Sequence, residues 1–260
     1  MQKRHKDRDA YFRELAKTCE EYFVPYIETW HTLGAGTSVL EIGCGEGGNL
    51  LPFARRGCCT LGVDRAACLI DVARRNFDRA GADGVFIAED IFSVKGLDRG
   101  FDVIVCHDVF EHIAAKPQFL SAMGRFLAPD GVVFMAFPAW QMAFGGHQQI
   151  CRSKVLSCLP FVHLLPAALY RMVIRLFGED ENCLEELLSI RQTRVTIERF
   201  EDLLHPAGLE IADRQLWLVN PHYKVKFGLR PCRLSTFVSD VRFLRNFLSS
   251  SCFYILRKEY

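Results

Sequence analysis

The sequence lacks a surplus of charge. Its 260 residues carry 32 lysines and arginines against 31 aspartates and glutamates, a formal net charge of +1 at pH 7. That balance does not call for a nucleic acid, and no basic stripe with interleaved aromatics appears along the chain. No cysteine pair stands at C-x-x-C spacing, although there are 11 cysteines, an odd number, with Cys58 and Cys59 adjacent. Such usage speaks against a disulfide framework or a zinc site and predicts reduced, mostly buried thiols in a cytosolic protein. No set of histidines and acids shows metal-ligand spacing, so no metal is expected. The start Met1-Gln2-Lys3-Arg4-His5-Lys6 has no apolar segment and does not read as a secretory signal. The uncharged stretch Val155–Tyr170 contains Pro160, His163 and Pro166, and falls short of the roughly 20 apolar residues a spanning helix needs. Internal repeats and low-complexity linkers are missing as well.

What is present is an ordinary globular composition, 50% apolar and 24% charged, long enough to bury a core in one or two domains. Asp9–Trp30 reads as an amphipathic helix pair, with Phe12, Leu15, Cys19, Tyr22, Phe23, Tyr26 and Ile27 at helical spacing. Pro25 should kink or break it, and Leu33-Gly34-Ala35-Gly36 ends it. Strands are predicted at 38–42, 61–63, 85–87, 101–106 and 131–137, with helices at 48–56, 66–81 and 116–127 between them. Each strand is a near-continuous apolar run, the mark of a parallel sheet covered on both faces. From Pro138 to Arg194 the alternation stops, and the chain is apolar, helical and punctuated by prolines. It resumes with a helix at 197–205 and strands near 210–219 and 252–257. The prediction is an N-terminal helical cap (1–36), an α/β domain (37–138 and 195–260) and a helical insertion (139–194) lying as a substrate lid over the open end of the sheet.

The run Val39-Leu40-Glu41-Ile42-Gly43-Cys44-Gly45-Glu46-Gly47-Gly48 is the most informative. Closely spaced glycines at a strand end let the backbone approach a ligand, and the helix that follows offers free N–H groups. Gly43, Gly45 and Gly48 also satisfy the dinucleotide pattern G-x-G-x-x-G. Asp64, ending the second strand, suits a ribose diol in either kind of cofactor, because two hydroxyls can donate to its two oxygens. An NAD-dependent oxidoreductase therefore stays open on these residues. Glu41 weighs the other way, since a carboxylate inside a strand end is costly to bury without a partner. Glu89-Asp90-Ile91 after the third strand adds an acid able to accept from an adenine amino group, and the Ile91 N–H can serve a ring nitrogen.

Further on stand Phe101-Asp102-Val103-Ile104-Val105-Cys106-His107-Asp108-Val109-Phe110-Glu111-His112 and the turn Leu127-Ala128-Pro129-Asp130-Gly131. Together with Glu41–Gly47, Asp64 and Asp90, these runs resemble class I S-adenosylmethionine-dependent methyltransferases. The likeness is to the small-molecule type that includes ubiquinone-biosynthesis O-methyltransferases. It spans about residues 37–138, with a weaker echo in the last two strands. The resemblance implies a Rossmann-like, doubly wound α/β sheet of seven strands with the last antiparallel. It implies S-adenosyl-L-methionine as cofactor and S-adenosyl-L-homocysteine as product. Cofactor contacts are implied at Glu41, near the cationic methionine end, and at Gly43, Cys44, Gly45, Asp64, Arg65, Asp90, Ile91 and His107, the last through its backbone. The substrate does not carry over, because this family varies after the fourth strand. His107-Asp108-Val109-Phe110 is not the N-P-P-Y or D-P-P-Y run of enzymes that methylate base amino groups. A non-catalytic S-adenosylmethionine-binding protein remains a further alternative.

Methyl transfer asks a protein to hold donor and acceptor in line and to exclude water. A hydroxyl acceptor also asks for a base, most simply a histidine. The candidates are His107, His112 and His147. His112 also reads as a structural residue of its turn. His147 is favoured because it lies just past the fifth strand, where ligands sit outside strand carboxyl ends. Trp140, Met142 and Phe144 beside it can hold a flat or apolar acceptor, and Gly145-Gly146 would let the loop move. Tyr223, within Asn220–Gly228, is a further acceptor contact. Tyr11, Tyr22, Tyr26 and Trp30 can cover the cofactor or simply pack as core. Between Cys151 and Phe177, Arg152, Lys154, Arg171 and Arg175 lie among apolar residues without an acid, so 151–177 suits a lid, core packing or peripheral contact with anionic lipid. The expected acceptor is a small or lipid-like molecule methylated at oxygen. The expected location is cytoplasmic, or peripheral to the inner face of a membrane.

Overall fold

The computed structural model describes residues 7–97 and 100–259. Among them, eight strands form one sheet: β1 (Ser38–Ile42), β2 (Cys59–Asp64), β3 (Val85–Ala88), β4 (Phe101–His107), β5 (Leu127–Phe137), β6 (Leu209–Val219), β7 (Cys232–Arg233) and β8 (Ser251–Lys258). Their order is β3-β2-β1-β4-β5-β8-β6-β7. The first five are parallel, and β8 runs antiparallel to both β5 and β6. The Rossmann-like sheet with an antiparallel last strand is thus observed, with one strand more than the seven expected. The addition is β7, two residues paired to β6 at the sheet edge. Two residues carry no hydrophobic period, so nothing marks that strand in the sequence.

Successive strand residues serve two different cores. Val39, Val103, Val105, Phe134, Phe253 and Ile255 belong to one layer, and Leu40, Ile104, Cys106, Met135, Phe137 and Tyr254 to the other. Double-sided burial explains the continuous apolar runs. Helix Ala67–Ala80 covers one layer through Ile70, Ala73 and Phe77, and helix Lys116–Phe126 covers the other through Phe119, Leu120 and Met123. Each such large side chain contributes about 1.5–3 kcal/mol on burial, which makes the sheet a firm platform for its loops.

Helix Arg8–Thr18 runs through a wider π turn, Cys19–Phe23, into Val24–Glu28. The Val24 N–H reaches back to the Cys19 carbonyl. Pro25 has no N–H to donate and falls in the first turn of the last segment, where that loss costs little. The expected break is therefore a widened turn. The helix from Ile197 stops at Asp202, earlier than expected, and a 3-10 turn, His205–Ala207, follows. Pro206 disfavours helical backbone at the residue before it.

Residues 139–194 are helical, with segments Lys154–Cys158, Ala167–Leu176 and Glu181–Thr193 around a small core of Cys151, Leu156, Tyr170, Ile174, Leu184 and Leu187. A further helical stretch, not anticipated, lies between β6 and β8 and includes His222–Phe227. No helix among the described residues is long and apolar enough to cross a membrane. The chain winds outward in both directions from β1 and β4. A crevice opens at the carboxyl ends of these two strands, the place where such sheets bind ligands.

Candidate active site

The turn after β1 is bent by glycines at left-handed φ: +75° at Gly43, +51° at Gly45 and +81° at Gly47. The Gly43 and Cys44 N–H groups donate to the Val63 carbonyl at 2.8 and 3.1 Å, folding the turn over the end of β2. A Cβ on Gly43 would stand 2.3 Å from Val109 Cγ2, so the turn rests directly on the loop after β4. Gly45 instead faces open space, with nothing within 4 Å of where its Cβ would be. Asp64 accepts from Gly45 N at 2.9 Å through one oxygen and from Ala66 N at 2.8 Å through the other. It holds the turn in place, and each oxygen keeps a lone pair for a further donor.

Glu41 is buried. Asn49 Nδ2 donates to its Oε1 at 2.8 Å, whereas Glu41 Oε2 and Asn49 Oδ1 have no partner. Burial pushes the Glu41 pKa up to about 8 against that hydrogen bond, and Asp64 adds to the rise. An unpaired buried carboxylate is costly, so this corner has the chemistry to take a cationic group at Oε2. The donor set therefore fits the amino-acid end of S-adenosylmethionine. Asn49 Nδ2 also lies 3.5 Å from His107 Nδ1, joining the ends of β1 and β4. Asn49 was missed from sequence; its signal is a polar side chain in the first turn after the glycines.

A cavity of about 530 Å³ opens across the carboxyl ends of the strands. Its wall includes Tyr11 from the first helix, Glu46 from the glycine turn, Asp108 and Glu111 after β4, and Phe144 and His147 after β5. Tyr223 closes it from the helix after β6. Phe144, His147 and Tyr223 thus come together. Trp140 does not join them: its ring packs edge-on against His163 at 4.7 Å, and its carbonyl bonds His163 Nε2 at 2.7 Å. It is buried in the packing of its own loop against His163. Of the aromatic face of the first helices only Tyr11 reaches the wall; Tyr22 packs on Trp217, Tyr26 on Phe134, and Trp30 lies under Arg257. At the far end of the crevice, Arg65 Nε stands 3.4 Å from Asp90 Oδ2, and Asp90 Oδ1 accepts from Phe92 N at 3.0 Å. Ile91 and Cys44 are both buried, in the cores on opposite faces of the sheet.

Gly145 and Gly146 are not a loose hinge. A Cβ on Gly145 would meet the Trp140 carbonyl at 2.2 Å, and one on Gly146 would meet His163 Cβ at 2.1 Å. They allow close packing, and the chain leaves them into His147 at φ +57°. The His147 ring stands edge-on to His112. Burial, with His112 adding to it, holds the His147 pKa down to about 4, so at neutral pH the ring is neutral with a free lone pair, a weaker base than an ordinary imidazole. Burial lowers His112 as well. Both oxygens of buried Glu111 lack a hydrogen bond, His112 Nε2 standing 3.8 Å from Oε1, and burial and Asp108 hold its carboxyl well above the usual range. His107 packs on Phe23, with Nε2 3.4 Å from Asp108 Oδ2, and is not in the cavity wall.

Glu111, His112 and His147 each present one ligand atom within 4.8 Å of the others, and so do Cys151, Glu179 and Cys183. Neither group shows in the spacing, because the fold, not a local motif, assembles it. Lys116 secures the turn carrying Glu111: its Nζ donates to the carbonyls of Phe110 at 3.0 Å, Ile113 at 2.6 Å and Thr193.

Comparison with known proteins agrees with this geometry. Residues 39–131 match a methyltransferase-domain family. A ubiquinone biosynthesis O-methyltransferase from Bartonella bacilliformis is 31% identical over 45% of this chain and 50% of its own. One from Bartonella tribocorum is 32% identical over 44% of this chain and 48% of its own. The chain spans about half the length of these curated relatives. Among solved structures, an S-adenosylmethionine-dependent methyltransferase from Clostridium acetobutylicum superposes with a TM-score of 0.59 at 13% identity, over 94% of this chain and 92% of its own. A plantazolicin methyltransferase crystallised with S-adenosylhomocysteine gives 0.57 at 14% identity, over 98% and 87%. These share the fold. Residues 39–131 are thus similar to a methyltransferase domain, a likeness that favours the methyl-donor reading of the glycine turn over the dinucleotide one.

Proposed function

We propose that the chain transfers a methyl group from S-adenosylmethionine to a hydroxyl of a small, apolar or lipid-like molecule in the cavity, with His147 as the base. When bound, the cofactor supplies an electrophilic methyl on a sulfonium leaving group. Glu41, steadied by Asn49, receives the ammonium of its amino-acid end. Gly43 to Gly45, with Cys44, let the backbone run alongside it. Asp64 accepts from the ribose, and Asp90 with the Ile91 N–H meets the adenine, Arg65 and the His107 backbone completing the contacts. The observation that carries the acceptor reading is the neutral imidazole of His147 on the cavity wall, beside Met142, Phe144 and Ile150. It takes the hydroxyl proton as the methyl is transferred. Phe144 and Tyr223 hold the acceptor, and residues 139–194 act as a lid that excludes water. The test is S-adenosylhomocysteine production from phenols and catechols carrying alkyl tails of increasing length. Full turnover by His147→Ala would remove the base, and binding of NAD in preference to S-adenosylhomocysteine would remove the reading altogether.

A second reading of the same step rests on the grouping of Glu111, His112 and His147. A divalent cation held there would ionise the acceptor hydroxyl in place of a free base. Turnover lost on chelation and restored by magnesium or zinc favours it; turnover indifferent to chelator favours the free imidazole.

The outer face of the insertion supports peripheral membrane contact. Val155, Met172 and Leu176 are exposed, Leu176 to 80%, with Lys154 and Arg171 beside them. We place this face on anionic lipid, from which a lipid-like acceptor would enter. Co-sedimentation with phosphatidylglycerol vesicles, weakened by salt, is expected; equal indifference to anionic and neutral vesicles would refute it.

A further inference from the structure

Inside the insertion three acidic side chains from separate segments converge. Cys151 follows the 3-10 turn Gln148–Ile150, Glu179 lies between helices Ala167–Leu176 and Glu181–Thr193, and Cys183 is in the first turn of the second. The two sulfurs are 4.0 Å apart, and one ligand atom from each residue lies within 4.8 Å of the others. Two thiolates bound to a tetrahedral zinc at about 2.3 Å each stand about 3.8 Å apart, whereas disulfide sulfurs are at about 2.0 Å. The observed spacing is close to the first.

The carboxylate is already aimed. Glu179 Oε2 accepts from Arg152 N at 2.9 Å and Oε1 from Ser153 N at 2.8 Å, which fixes it beside Cys151 and leaves each oxygen a lone pair. A second, independent feature is Tyr170, 0% exposed, whose hydroxyl has no hydrogen-bond partner. Tyr170 packs in the same small core as Cys151, with Cys183 against it. An unsatisfied buried hydroxyl costs about 1–3 kcal/mol. Neighbouring cations have partners of their own: Arg152 pairs with Asp180 at 2.6 Å, Arg175 with Glu181 at 3.0 Å, and Arg191, whose guanidinium lies 5.8 Å from the centre of the Tyr170 ring, donates to the His163 carbonyl.

We infer that Cys151, Cys183 and Glu179 form a site for one thiophilic divalent cation, zinc above all, with the Tyr170 hydroxyl or a water completing the shell. Binding displaces one proton from each thiol to solvent. Two thiolates, one carboxylate and the dication then leave a net charge of −1. Gln149 and Ile150, immediately before Cys151, line the acceptor cavity. The cation would pin that wall to helix Glu181–Thr193, whatever the acceptor is.

The test uses the full chain, stripped with chelator and titrated with cobalt(II) and zinc. The expected result is a near-ultraviolet thiolate-to-cobalt charge-transfer band, quenched when zinc replaces cobalt, with release of two protons per site. Cys183→Ser should lose the band and the proton release. His147→Ala, in the other cluster, should keep both. Cobalt binding without the band would overturn the inference. So would a band that survives in Cys183→Ser, or peptide mapping of the chain isolated without reductant that finds Cys151 and Cys183 joined as a disulfide. The band is read first on the unsubstituted protein, so a variant that fails to fold cannot decide the matter.

Discussion

The imidazoles of His112 and His147 stand 5.1 Å apart with their planes at 83°, although one follows β4 and the other follows β5. Burial, with His112 adding to it, holds His147 below the ordinary imidazole range, and His112 is lowered too although its side chain remains 42% exposed. His147→Ala is expected to lower turnover by about 100- to 10,000-fold and to leave S-adenosylhomocysteine binding, read by calorimetry, unchanged. With a pKa of about 4, the His147 base is lost only as pH falls through that value, so its limb of the profile is flat down to about pH 5. A limb near the usual imidazole value that disappears in His147→Ala would show that the ring is not sheltered.

Glu41 links protons to both stability and cofactor binding. Its folded pKa of about 8 lies above the unfolded value of about 4.3. Below the lower value the group is protonated in both states and has no effect. Between the two, the unfolded chain gives up a proton that the folded chain keeps, so Glu41 progressively costs stability as pH rises. Glu41→Gln should therefore melt higher than the native chain at pH 8 and level with it near pH 4. Because only the carboxylate pairs with an ammonium, affinity for S-adenosylhomocysteine should tighten as pH rises toward about 8, and Glu41→Gln should bind weakly with no such trend. Affinity that falls over this range would place the ammonium elsewhere.

Gly43 and Gly45 separate packing from binding. Gly43→Ala puts a methyl 2.3 Å from Val109 Cγ2 at a φ of +75°. Left-handed strain of about 1–2 kcal/mol and overpacking of about 1–3 kcal/mol should lower the melting temperature by several degrees. Gly45→Ala, at φ +51° with open space ahead, should carry the strain alone but lose cofactor affinity. Full affinity in Gly45→Ala would mean that this space is not the cofactor's.

The sheet was legible because Val103, Ile104, Val105 and Cys106 alternate between two buried cores, leaving a run with no polar face. Glu41 was legible because an acid in such a run needs a reason. Asn49 was not, since only the rotation of its short helical turn aims it at Glu41. An aromatic just past a strand reads alike whether it faces a cavity, as Phe144 does, or His163, as Trp140 does. Gly145-Gly146 likewise looks like a hinge until the Trp140 carbonyl and His163 are placed against it. Grouping Glu111 with His147 depends on strand order, which no local pattern carries.

Lys116 is where the insertion is tied to the turn bearing Glu111 and His112. It is buried, and its ammonium spends its three donors on the carbonyls of Phe110, Ile113 and Thr193. Thr193 ends helix Glu181–Thr193, so the charge also meets the negative end of that helix. Lys116→Met leaves three carbonyls without their donor. Hydrogen bonds to a charged group are worth about 1.5–3 kcal/mol each before relaxation, so a loss of about 3–5 kcal/mol is expected, on the order of 10 °C in melting temperature for a chain of this size. Lys116→Arg should not rescue it, because a planar guanidinium fork cannot address three carbonyls converging on one point. Under conditions where the variant is folded, turnover should still fall, because the turn that places Glu111 and His112 has lost its anchor. Native stability in Lys116→Arg would show that the charge alone, not its three-way geometry, holds this corner together.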